Sequence, residues 1–129
     1  MMFPPEYSPW GEVQHLEELC SGVFAVATAS HGGIMVHRSI ARTVLSPAAR
    51  KYGFPDGSYY CFEEDCDAPV AIRELLDKGL YTAPVNDYFR PGEYEKAIDR
   101  SLQDYHPDYW QARENAQTRH SEKRKERER

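Results

Sequence analysis

The chain has 129 residues, 40% of them hydrophobic, enough to bury the core of one small domain and too few for two. Its net charge is −5, and its three cysteines form no disulfide framework, which points to a reducing compartment. There is no apolar run of about 18 residues and no basic-then-apolar leader in Met1-Met2-Phe3-Pro4-Pro5-Glu6, so neither a membrane span nor a signal peptide is expected and the cytoplasm is the expected location.

The charge is unevenly placed. Residues 111–129 carry seven Lys/Arg against four Asp/Glu, leaving nine against seventeen in residues 1–110, so an acidic body of −8 precedes a basic tail of +3. An acidic body repels phosphate backbones and favours basic partners, including proteins that themselves bind nucleic acid. No direct contact of the body with nucleic acid is expected. The tail mixes both signs, as in Ser121-Glu122-Lys123-Arg124-Lys125-Glu126-Arg127, and reads as a charged helical or disordered end.

Residues 1–9 contain three prolines and read as an irregular arm in which Phe3, Tyr7 or Trp10 pins the end to the body. From Trp10 to Leu19 the alternation is impure, with Val13, His15, Glu17 and Leu19 on one side, which predicts an edge strand. Ser21-Gly22 makes a turn. Val23-Phe24-Ala25-Val26-Ala27-Thr28 is short, continuously apolar and rich in β-formers, so it predicts a central strand.

Ser30-His31-Gly32-Gly33 then predicts a tight turn, because glycine reaches backbone angles closed to other residues. Ile34-Met35-Val36 pairs back as a short strand. Ser39 is the expected cap of a segment running from Ile40 to Leu45, and Ser46-Pro47 opens a short helix that Gly53 stops. Pro55-Asp56-Gly57-Ser58 predicts a turn into a second strand, Tyr59-Tyr60-Cys61-Phe62-Glu63. Asp67-Ala68-Pro69 begins a helix with Ile72, Leu75, Leu76 and Leu80 inward and Arg73, Glu74, Asp77 and Lys78 facing water. The acids before it suit the positive end of the helix dipole. Residues 81–92 read as a loop, Glu93 opens a helix carrying Tyr94, Ile98, Leu102 and Tyr105, and Pro107 restarts a last helix through Tyr109 and Trp110. The expected architecture is α+β: a small, mainly antiparallel sheet with flanking helices in one domain over residues 10–110, then a C-terminal helical segment.

Candidate chemistry centres on His31, which could serve as a general base, a metal ligand or the partner of a cysteine, or only hydrogen-bond within its turn. The second constellation is Cys61-Phe62-Glu63-Glu64-Asp65-Cys66-Asp67. Cys66 stands near a helix N-terminus, but the adjoining carboxylates oppose the thiolate that a nucleophile needs. Structural zinc usually shows paired C-x-x-C or H-x-x-x-H spacing, which the gap from Cys61 to Cys66 does not provide. Hard-metal binding by Glu63, Glu64, Asp65 and Asp67 stays open, while no metal centre and no cofactor is assigned. Late aromatics interleave with acids, and Tyr88, Tyr94, Tyr105, Tyr109 and Trp110 are the expected partner-binding residues.

Taken together, Trp10-Gly11, Gly22-Val23-Phe24-Ala25-Val26-Ala27-Thr28, Ser30-His31-Gly32-Gly33-Ile34, Leu45-Ser46-Pro47 and Glu63-Glu64-Asp65-Cys66 resemble a domain of unknown function carried by bacterial phages, plasmids and conjugative elements. The resemblance covers roughly residues 8–80. It implies that His31, Gly32, Gly33, Glu63, Glu64, Asp65 and Cys66 define the family, and it carries over no catalytic role. The expectation is an acidic accessory protein of a mobile element that works by binding a protein, such as a nucleic-acid-binding host defence nuclease of the CRISPR or restriction type. The alternative is a small hydrolase or metal-dependent enzyme using His31 with Cys66 or with Glu63, Glu64 and Asp65. If His31 bridges its turn to the acidic block, the two must lie side by side in the fold.

Overall fold

The apolar runs of the chain assemble into one five-stranded sheet, all of its pairings antiparallel. The computed structural model describes residues 4–128 and shows an α+β fold. Two short strands, β1 (Tyr7–Ser8) and β2 (Gly11–Glu12), form a separate hairpin. The main sheet comprises β3 (His15–Cys20), β4 (Val23–Ala27), β5 (Gly32–His37), β6 (Phe54–Asp56) and β7 (Tyr59–Glu63), in the order β3-β4-β5-β7-β6. Between β5 and β6 run the helices α1 (Arg38–Val44) and α2 (Pro47–Arg50); α3 (Ala68–Asp77), α4 (Glu93–Tyr105) and α5 (Pro107–Glu128) follow. Among the described residues no helix is long and apolar enough to cross a membrane.

Both faces of this sheet are buried, which is why β4 and β5 read as continuous apolar runs rather than as alternations. One face, with Val23, Ile34, Val36 and Phe62, packs against Ala41, Leu45, Ala49, Val70, Ala71, Ile72 and Leu75 of α1, α2 and α3 and against Leu102 and Tyr109 beyond them. The other face, with Phe24, Val26, Met35 and Cys61, is closed by Trp10, Val13 and Tyr59. Burial and the neighbouring Asp56 push the Cys61 thiol up to about 12.

The second face explains two departures from expectation. The arm expected to be irregular over residues 1–9 contains a strand: Tyr7–Ser8 pairs with Gly11–Glu12, and Trp10 is carried over the sheet, its ring edge-on to Phe54 at 6.2 Å. Of the other two proposed anchors, Tyr7 is exposed and Phe3 lies outside the described residues. Gly32 and Gly33 are not the turn either. They are the first two residues of β5, paired with Ala27 and Val26, and neither has a positive φ. Glycine stands at position 33 because a Cβ there would meet the Phe62 carbonyl and lie 2.5 Å from Trp10 Cη2. With the glycines included, β5 has six residues and becomes the middle strand, so β4 lies one place off centre. β3 is an edge strand, as its alternation suggests.

Other boundaries shift for local reasons. Helix α1 begins at Arg38 and is capped by His37, whose ring accepts from Ser39 N, so Ser39 is not the cap. Ser46 does cap α2, accepting from Ala49 N at 3.1 Å. Phe54–Asp56 is strand β6, which narrows the expected turn to Gly57-Ser58.

The largest difference concerns α3. Val70, Ala71, Ile72 and Leu75 are buried as an apolar stripe requires, but Arg73 and Glu74 are buried too and Leu80 is exposed beyond the helix end. Helix α3 is covered on a second side by α4 and α5, so its charged side chains face protein. Each has a partner. Arg73 meets Asp77 at 3.1 Å and Asp99 at 2.8 Å; Glu74 accepts from Ser46 N–H and, at 2.7 Å, from the Tyr109 hydroxyl. Arg113 closes the network with two hydrogen bonds to Asp77 at 2.8 and 2.9 Å. Helix α5 continues unbroken past this point to Glu128.

Candidate functional site

The turn between β4 and β5 spans Thr28 to His31. The Thr28 amide donates to the His31 carbonyl at 2.8 Å, and Thr28 Oγ1 accepts from the amides of Ser30 and His31. The turn therefore holds itself through Thr28 and leaves the imidazole of His31 exposed at the sheet end. Strand β7 ends beside it, with Glu63 opposite Gly33 and the Glu64 amide donating to the Gly32 carbonyl at 3.0 Å. As a result one donor atom each of His31, Glu64 and Asp65 lies within 4.8 Å of the others. The expected neighbourhood of the histidine and the acidic block is what the fold produces. Glu63 and Cys66 are not in this group. Glu63 shares the side-chain direction of Cys61, toward the Trp10 face, by strand alternation. Cys66 is exposed, and its carbonyl accepts from His106 Nε2 at 2.8 Å.

Asp67 stands at the N-cap position of α3, as expected of the helix start, but its side chain makes no capping hydrogen bond; its carboxylate lies 3.3 Å from His106 Nε2. Burial raises its pKa, and the neighbouring His106 works in the opposite direction. The acids before α3 thus divide into one that joins α3 to the α4–α5 joint and two, Glu64 and Asp65, that turn toward His31.

Glu64 has a second role as the rim of a cleft. Helix α4 packs on α3 rather than onto the sheet, and small residues, Ala25 on β4 and Ala68 on α3, leave space between the layers. The hollow is about 310 Å³, floored by Ala25 and Ile34, with Ile72 and Ile98 on the helical side and Tyr81 and Tyr94 as aromatic walls. Glu17 of β3 and Glu64 supply its carboxylates. The Tyr94 hydroxyl donates to that of Tyr81; burial pushes Tyr94 up to about 12, with Glu17 adding to the effect, and raises Tyr81 in the same direction. Neither Glu17 nor Glu64 has an ion-pair partner among the described residues. An apolar, aromatic-walled hollow with unneutralised carboxylates at its margin suits a cationic group with an apolar stem.

A larger groove of about 780 Å³ runs between α5 and the α2–α3 region, past Ala48, Ala112 and Ala116. Its charged floor, Glu74, Asp77 and Arg113, is already mutually satisfied, so nothing there calls for a ligand.

The expected partner-binding aromatics scatter. Tyr88 is 88% and Tyr105 75% exposed. Tyr94 is half-buried in the cleft wall, and Trp110 is half-buried beneath Arg113, whose guanidinium carbon is 4.9 Å from the ring centroid. Tyr109 is 1% exposed and bonded to Glu74, so it is a core residue and not a surface contact. Sequence reasoning gave Glu17 no binding role and counted Tyr81 only among the late aromatics. The signal for Glu17 was present, since a glutamate stands in line with Leu19 on a strand facing the core.

Residues 4–129 match a domain of unknown function, DUF7007, and the chain belongs to that family. The match takes in the C-terminal helices, which the resemblance read from the sequence left outside. No curated protein and no solved structure matches the chain.

Proposed function

We propose that this protein works by binding another protein, as an accessory factor of a mobile genetic element, and that its partner is a nucleic-acid-handling host defence enzyme which it inhibits. The observation that carries the reading is the pair of unneutralised carboxylates, Glu17 and Glu64, at an open cleft beside Asp65. Carboxylates displayed in this way compete with phosphate for the basic groove of a nuclease. The acidic body, nine Lys/Arg against seventeen Asp/Glu over residues 1–110, steers such a partner from a distance. The mobile-element setting rests on the resemblance of the His31-Gly32-Gly33 and Glu63-Glu64-Asp65-Cys66 blocks. The test is affinity capture from a bacterial host followed by assay of nuclease activity. The reading expects a nuclease that is captured and inhibited, with capture weakened by Glu64→Lys; recovery of only proteins unrelated to nucleic acids would overturn it.

A second reading is favoured by the donor atoms of His31, Glu64 and Asp65 lying within 4.8 Å of one another: a divalent cation held there, with positions left open for water, would support metal-dependent hydrolysis. In this reading Cys66 has no part. Titration with Mn²⁺ or Zn²⁺ separates the two, because saturable binding lost in His31→Ala is expected of a metal site alone.

A further inference from the structure

We propose that the cleft between the sheet and α4 is a binding site for an arginine-bearing segment of a partner protein, with Glu17 and Glu64 receiving two cations of that segment. The inference rests on the protein-binding reading and adds to it a location, a ligand class and a spacing.

The floor is apolar and the walls are tyrosines, so the hollow accommodates the aliphatic stem of a long cationic side chain and sets aromatic rings beside its head. Arginine fits better than lysine, because its guanidinium is more weakly hydrated, stacks on aromatic rings and meets a carboxylate with two parallel hydrogen bonds. The acids define the spacing. Glu17 is opposite Ala25, Ala25 opposite Ile34 and Ile34 opposite Phe62, while Glu64 follows two residues later. The two glutamates are therefore three strand spacings apart across the sheet and two residues apart along it, roughly 16 Å at the backbone. An extended segment places residues i and i+4 about 13 Å apart, and the length of the two arginine side chains spans the difference while the residues between them lie over Ala25 and Ile34. Glu17 is also close enough to Tyr81 and Tyr94 to act on both hydroxyls, which places negative charge at the aromatic wall.

The charge of the cleft disfavours other occupants. A phosphate or an acidic peptide would meet two unpaired carboxylates without a counter-charge in the cleft lining. A divalent cation has its donors at His31, Glu64 and Asp65 and makes no use of Glu17.

The experiment is an NMR titration of the full chain with the acetylated, amidated peptide Arg-Ala-Val-Ala-Arg and, separately, with the same peptide in which glutamate replaces both arginines. The expected result is a saturable shift at Ala25, Ile34, Tyr81 and Tyr94 with the arginine peptide only. Glu17→Gln and Glu64→Gln are each expected to weaken it about tenfold, the size of one charge-assisted contact. Both positions are exposed, and a circular dichroism spectrum confirms that the variants fold. Ala48→Trp, in the separate α5 groove, serves as the control and leaves affinity unchanged. Absence of a shift at those four residues, or a shift that survives both glutamine variants, overturns the proposal. So does a response confined to His31, Glu64 and Asp65 and reproduced by Mn²⁺ alone. If the peptide binds as described but no nuclease is captured from the host, the cleft assignment stands and the proposed partner falls. If a nuclease is captured equally well by Glu17→Gln and Glu64→Gln, the partner stands and the cleft assignment falls.

Discussion

Two groups of acidic residues in this fold have opposite fates. Glu74, Asp77 and Asp99 are drawn into the layer between α3 and the last two helices, where each is matched by Arg73, Arg113, Tyr109 or a backbone amide. Glu17, Glu64 and Asp65 stand at the edge strand and at the end of the sheet, exposed and without an arginine or lysine partner among the described residues. The first group is bound up in the fold: desolvated charges must be paired, and removing one member strands the rest. The second group contributes little to folding and remains available to something outside the chain. The same residue type thus serves cohesion in one place and recognition in the other, and what separates them is the second helical layer.

The comparison can be broken most severely at its buried end. Tyr109→Ala removes a fully buried ring and the hydroxyl that satisfies Glu74, and is expected to cost about 3–5 kcal/mol in chemical denaturation. A loss below about 1 kcal/mol would show that the α3–α5 layer is not part of the cooperative fold. Gly33→Ala is expected to cost about 3 kcal/mol, near the upper end for overpacking, because the new methyl meets the rigid Phe62 carbonyl and the Trp10 ring. Trp10→Ala in the same background relieves one of the two clashes and should recover part of that loss.

A third effect is set by pH. Tyr94 and Cys61 are pushed up to about 12, from ordinary values of 10 and 9, and Tyr81 and Tyr109 are raised as well. A folded value above the unfolded one means that the native state retains the proton longer. Stability from these groups is therefore complete below pH 9 and is lost as pH rises toward 12. The urea midpoint should fall steadily across that window, and Tyr94→Phe should make the fall shallower. A flat profile from pH 9 to 12 would contradict the burial assigned to these hydroxyls and this thiol.

Much of the architecture is readable in the residues themselves. β4, β7, α3 and α4 follow from unbroken apolar runs or helical spacing, and the start of α2 from Ser46-Pro47. What escapes are features created by contact between distant segments. Phe54–Asp56 looks like a turn because it contains proline and aspartate, yet at a sheet edge it needs only one partner, β7. Gly32-Gly33 looks like a turn because the usual reason for glycine is backbone freedom, whereas here the reason is close packing: the Val26 carbonyl and the Glu64 side chain stand against Gly32, and the Phe62 carbonyl and the Trp10 ring against Gly33. Arg73 and Glu74 look solvent-facing because local periodicity does not reveal a second layer of helices. The nearness of His31 to Glu64 and Asp65 was legible as a requirement linking two motifs. The cleft was not, since its shape depends on α4 resting on α3.

The most direct test of the account compares two sets of isosteric changes by urea denaturation at neutral pH. Glu74→Gln keeps the shape but deprives the Ser46 amide and the Tyr109 hydroxyl of a charged acceptor, and is predicted to cost about 2–3 kcal/mol. The double variant Glu17→Gln, Glu64→Gln removes two exposed, unpaired charges and is predicted to stay within about 0.5 kcal/mol of the parent protein. Equal losses in the two, or a larger loss in the double variant, would mean that the exposed acids are part of the fold's own structure and not a surface kept for a partner.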